Sequence, residues 1–142
     1  MTHGNEHRLI AVAGITKLAL YIATGKKITT ALPVIEIERD GSHRPQKHES
    51  HFRQKSNPAS LYEPHTSPDE IEHIESARDI SDEILKHLGG NHFVEIILIA
   101  EPRMLGFLRQ HLAAPIKKLI SREINKDYLR LTKEELEKAV FA

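Results

Sequence analysis

The chain has 142 residues, with 20 basic and 20 acidic side chains, ten histidines and no cysteine. That length suits one hydrophobic core rather than two, and the cancelled charge removes any global field drawing the chain onto nucleic acid or an anionic membrane. The missing thiols exclude disulfides, thiolate zinc sites and cysteine nucleophiles.

Met1 to Arg8 is polar and lacks the apolar core of a secretory signal, and no apolar run approaches the roughly 20 residues that span a bilayer. A cytoplasmic location without a membrane partner is expected. The histidines titrate near neutrality, so mildly acidic surroundings would make the chain cationic.

Leu9 to Ala13 is a short apolar run ended by Gly14, and Lys17 to Thr24 resumes with alternating Leu18, Leu20 and Ile22. The three residues between them predict a hairpin of antiparallel neighbours. Gly25-Lys26-Lys27 turns into a third strand, Ile28 to Arg39, which carries Pro33 and changes its apolar parity there. A proline with a phase slip marks a bulged edge strand.

From Asp40 to Ser67 the periodicity vanishes, leaving a long irregular loop with three prolines and four histidines. Ser67 then reads as an N-cap, with Pro68 at the first helical position and Glu70 closing a capping box. Ile71, Ile74, Ala77, Ile80, Ile84, Leu85 and Leu88 form one stripe, and Gly89-Gly90 stops the helix.

Phe93 to Ala100 is almost wholly apolar and mostly β-branched, as a strand covered on both faces requires. The helical stripe that follows, Leu105 to Ile120, is interrupted by Pro115, which predicts a break near Ala114. Ile124 to Leu131 is the candidate fifth strand. Thr132 and Glu135 box the start of a last helix, with Leu131 placed to staple onto Leu136.

The fourth strand follows a helical crossover, so it should lie parallel to strand one through a right-handed connection. The expected fold is α/β, a five-stranded mixed sheet of order 3-2-1-4-5 with helices on both faces. That is the arrangement of ribonuclease H-like and release-factor middle domains, and residues 1–142 are expected to form one such domain.

A sheet of this kind makes two-metal hydrolysis the first enzyme to test, because it sets carboxylates at the ends of strands one and four. Strand one ends in Val12-Ala13-Gly14 and offers none; Glu101 stands at the end of strand four beside Arg103. His43, His48, His51 and His65 match no rigid ligand spacing, and histidines scattered in a polar loop are ordinarily solvated. The chain contains no HEXXH pattern, phosphate loop or Gly-x-Ser-x-Gly elbow. No metal and no cofactor are expected. Arg103, Arg109, Lys117, Lys118 and Arg122 are spaced to form a basic strip, which would track a phosphate backbone, although such residues more often solvate a helix face. Aromatic residues make up 5% of the chain, too few for a base-stacking platform.

The runs Pro102-Arg103-Met104-Leu105-Gly106-Phe107-Leu108-Arg109, Glu123-Ile124-Asn125-Lys126-Asp127 and Leu131-Thr132-Lys133-Glu134-Glu135-Leu136, with Glu63-Pro64-His65-Thr66-Ser67-Pro68 upstream, resemble the bacterial host-attachment protein family. The resemblance covers the chain from Arg8 onward. It implies kinship with class 1 peptide release factors of archaea and eukaryotes, whose middle domain carries Gly-Gly-Gln in the loop between the third strand and the long helix. Here that loop has Gly41 alone, and Gly14 stands where relatives commonly carry an acidic residue. Both departures point away from hydrolysis. The expected function is therefore non-catalytic binding of ribosome or structured RNA through His65, Arg103, Arg109, Lys126 and Asp127, with host attachment an indirect consequence. The alternatives are a metal-dependent hydrolase or nuclease using Glu101, His65 and Asp127, and an adaptor that binds a protein partner.

Overall fold

Phe93–Ala100 runs through the middle of the sheet, where its apolar residues from Ile96 onward are covered on both sides. The computed structural model describes residues 6–37, 67–90 and 92–141. Its elements are β1 (His7–Ala13), β2 (Lys17–Thr24), β3 (Lys27–Ala31), β4 (Ile35–Glu36), α1 (Pro68–Gly89), β5 (Phe93–Ala100), α2 (Pro102–His111), α3 (Ala114–Leu119), β6 (Ile120–Ile124) and α4 (Lys133–Phe141). The sheet order is β3-β2-β1-β5-β6, with β4 also paired to β2. β5 lies parallel to both β1 and β6, while β2 is antiparallel to β1, β3 and β4. The expected order therefore holds, with two corrections.

The third expected strand is two strands as far as Ile37, its last two residues lying outside the described ones, which makes six strands among the described residues. Leu32 N–H donates to Leu20 O at 3.0 Å, but Pro33 has no N–H to continue the ladder, and pairing resumes at Ile35 opposite Leu18. The fifth expected strand is also misplaced: β6 occupies Ile120–Ile124, and 125–132 is irregular. Pro115 starts a fresh short helix, and at Ile120 the backbone turns extended (φ −69°, ψ 118°) to pair with Ile96. An edge strand reading Ile-Ser-Arg-Glu-Ile has little apolar signal, so in the sequence it merges with the preceding helical stripe.

Alternation along the strands divides the core in two. Leu9, Ala11, Leu18, Leu20, Ile96 and Leu98 meet α1, α2 and α3, whereas Ile10, Val12, Ile97 and Ile99 meet Leu136 and Val140 of α4. Two parallel crossovers stepping the same way across a sheet must place their helices on one face, which leaves the opposite face to α4. The α1 capping box is complete: Ser67 Oγ accepts from Glu70 N–H at 3.1 Å and Glu70 Oε1 accepts from Ser67 N–H at 3.2 Å. The same reciprocal pair joins Thr132 and Glu135 ahead of α4. Two side chains bind α4 to the sheet, since Glu137 Oε1 accepts the Ile28 N–H of β3 at 2.7 Å and Arg122 Nη1 donates to Val140 O at 2.7 Å. Among the described residues no helix is long and apolar enough to cross a membrane.

Candidate functional site

The three parallel strands β1, β5 and β6 finish at one edge of the sheet, here termed the carboxyl rim, where Ala13 lies beside Ala100 and Ile99 beside Ile124. In α/β sheets this is the edge at which ligands bind, because the helices that follow the strands point their N-termini there. α2 begins at the rim directly after β5. Glu101 occupies its N-cap position without a side-chain hydrogen bond, Pro102 has no N–H, and the first intrahelical bond is Leu105 N–H to Glu101 O at 2.9 Å. The Arg103 and Met104 amides are therefore first-turn donors with no intrahelical acceptor.

Arg103 Nη1 pairs with Asp69 Oδ2 at 2.5 Å, the two side chains being 49% and 53% exposed. This contact ties the start of α1 to the start of α2. A half-exposed pair of this kind contributes at most about 1 kcal/mol, so the guanidinium can exchange Asp69 for another anion at little cost. Beneath it lies His73, 3% exposed, whose Nδ1–H donates to Asp69 O at 2.8 Å and whose ring stands 5.2 Å from that of Phe107.

The segment after β6 crosses the rim from the other face. Leu129 lies so close to Gly14 that a Cβ on the glycine would come within 2.7 Å of Leu129 Cδ1. Since β5 separates β6 from β1, residues 125–131 pass over the end of β5 to make that contact. Asp127 Oδ1 braces the crossing by accepting Leu129 N–H at 3.3 Å, and Lys126 is exposed beside it. The apolar Leu129 thus covers the strand-one position at which a two-metal site would need a carboxylate.

Of the residues expected at the site, Arg103, Lys126 and Asp127 come to the carboxyl rim. Arg109 does not: it lies about 9 Å further along α2 by the helical rise, with Nε and Nη2 donating to Glu123 Oε1 of β6 at 2.8 and 2.7 Å. Those contacts raise its pKa, the Glu123 hydrogen bond most. His65, with the rest of the 40–66 loop, falls outside the described residues. The expected basic strip is divided, because Arg109 and Glu123 lie on the α1–α3 face while Arg122 reaches across to α4. The alternation of β6 separates the two. Among the described residues no three histidine or carboxylate side chains converge as metal ligands would.

Sequence reading missed the buried polar residues of α1. Ser76 Oγ donates to Ile15 O at 2.7 Å and holds the β1–β2 turn, and Ser81 Oγ accepts Ala113 N–H at 2.9 Å at the α2–α3 break. The available signal was three polar residues, His73, Ser76 and Ser81, interleaved with the apolar stripe. Two titrating groups lie off the rim. Glu95 is held below the usual carboxylate range by the Ser121 hydrogen bond and by Arg8 and Arg122, against the opposing effect of burial. Burial, then Arg78 and Lys117, push His111 below the usual histidine range.

The sequence model of the family described as "Protein required for attachment to host cells" matches residues 9–140. An uncharacterized protein of Rickettsia prowazekii (strain Madrid E) is 42% identical over 140 residues, covering 95% of this chain and 93% of its own. A solved structure described as an archaeal protein superposes on 99% of the chain with a TM-score of 0.51 at 13% identity. The chain corresponds to 34% of that protein's length, and at this identity the likeness is one of fold alone.

Proposed function

Because the chain belongs to the family of proteins required for attachment to host cells, we propose that its direct molecular role is non-catalytic binding of structured RNA or the ribosome through the carboxyl rim, and that attachment follows indirectly. In this reading the domain is a release-factor-related, ribonuclease H-like module without the hydrolytic loop motif. Its ligand is a phosphate backbone rather than a base sequence.

The observation that carries the reading is Arg103. Its guanidinium is half-exposed on an exchangeable Asp69 pair, beside the two uncapped α2 amides. A phosphate entering there gains a charge-assisted bidentate partner and a helix N-terminus together, with Lys126 supplying a further cation across the rim. Binding through such contacts falls steeply with salt.

The test is filter binding of a structured RNA at several salt concentrations. Arg103→Ala should weaken binding about tenfold and flatten the salt dependence by about one phosphate contact. Asp69→Asn, which frees the guanidinium, should strengthen it. Binding indifferent to both substitutions would remove the rim from the account.

A further inference from the structure

Below the rim, the face formed by α1, α2 and α3 holds a second group of basic side chains. α1 and α2 start together at the Asp69–Arg103 pair and run side by side away from it, with the His73 and Phe107 rings 5.2 Å apart between them. They are tied again where α2 ends, since Ser81 Oγ accepts Ala113 N–H at 2.9 Å. Arg78 stands one helical turn before Ser81, and His111 shortly before Ala113. Lys117 N–H donates to Ala113 O at 3.1 Å, which sets Lys117 one turn into α3. Each of the three helices thus brings one basic side chain to the same joint.

Among the described residues no carboxylate pairs with any of the three. Arg78 and Lys117 are exposed, and His111 is partly buried with neither ring nitrogen in a hydrogen bond to a described residue. Glu75 and Asp82 lie one turn either side of Arg78 on α1, and neither forms an ion pair with it. On α2, Arg109 is committed to Glu123 at 2.7 Å, and on α3 the exposed Lys118 adds charge of the same sign. Burial, then the two cations Arg78 and Lys117, hold the His111 ring below the usual histidine range. Like charges left facing one another in this way are relieved by an anion placed between them.

We propose that Arg78, His111 and Lys117 bind a phosphate of the RNA backbone, on the strand that enters at Arg103 and continues along the α1–α2 face. This inference rests on the rim reading and gives its ligand a path. Arg103, Phe107 and His111 follow at intervals of four on α2, so they stand in one row, and His111 lies about 12 Å from Arg103 by the helical rise. A stacked strand covers that span in roughly three to four nucleotides. The Arg78 guanidinium supplies a charge-assisted fork to phosphate oxygens, Lys117 a point charge and His111 a further donor. With Arg78 and Lys117 both exposed, the joint suits an extended polyanion held at several points better than a lone phosphate held at one. Protonation of His111 adds a third charge there, so occupancy rises as pH falls.

The test is filter binding of an RNA hairpin, with the His111 ring followed by NMR. Arg78→Gln combined with Lys117→Gln should weaken binding about tenfold and lower the salt slope by about one, while circular dichroism and the dependence on Arg103 stay unchanged. Affinity should rise as pH falls below about 6.5, and His111→Gln should reduce that rise. The hairpin should move the His111 titration upward, and inorganic phosphate at the same phosphate concentration should not. An equal effect of inorganic phosphate would assign the joint to a free oxyanion and overturn the RNA path. Binding that needs Arg103 but is indifferent to the Arg78 and Lys117 substitutions would overturn this site and leave the rim standing, whereas a hairpin that does not bind the unsubstituted protein would overturn both.

Discussion

Gly14 and Leu129 show how one side chain decides what a strand end can do. The glycine was legible as a turn residue, but its close neighbour lies 115 positions away and left no local trace. Gly14→Ala displaces only the flexible end of Leu129 and should cost less than about 1 kcal/mol, whereas Gly14→Asp sets a carboxylate against an apolar cluster and should cost about 1–3 kcal/mol. Urea denaturation of both variants, with Leu129→Ala alone and in combination, measures the coupling. His111 makes a pH-dependent contribution. Because its folded pKa lies below the ordinary histidine value, the unfolded chain binds more protons between the two values. Stability from this group is therefore complete above about pH 6.5 and is lost as pH falls through the folded pKa. His111→Gln should lose less stability than the unsubstituted protein as pH falls below about 6.5, as read from paired urea midpoints.

At the scale of elements, the boundaries that carry their own chemistry were readable and the others were not. The start of α1 is set by Ser67, Pro68 and Glu70 within four residues, and the hydrogen bonds are those the sequence predicts. Ser67→Ala should lower stability by about 1 kcal/mol through the unmet Glu70 amide, measurable by thermal or urea unfolding. Pro115 marked the break between α2 and α3 for a comparable reason, since proline forbids a continuous ladder wherever it falls. β6 had no such marker. Its five residues are extended because β5 offers a parallel edge, a tertiary cause that propensity and periodicity do not encode.

For the molecule as a whole, the apolar content of 93–100 was enough to set β5 between β1 and β6, and from that the carboxyl rim and its Arg103 followed. The basic strip failed as a reading because spacing along a chain does not say which face of a sheet a residue occupies; β6 sends Glu123 one way and Arg122 the other. The same two-sidedness makes β5 the element on which both cores depend. Ile97, 1% exposed on the α4 face, should cost about 2–5 kcal/mol as Ile97→Ala, and the variant should lose α4 docking and sheet structure in one transition by circular dichroism and amide exchange.

The hydrogen bond from Ile28 to Glu137 joins an amide of the outer strand β3 to a carboxylate of α4 that lies 109 positions further along the chain. During synthesis that amide lacks its Glu137 partner until α4 has been made, so the outer hairpin cannot reach its final form before then. Completion of the β3 edge thus waits on α4, and loss of that helix would be felt at the outer edge of the sheet.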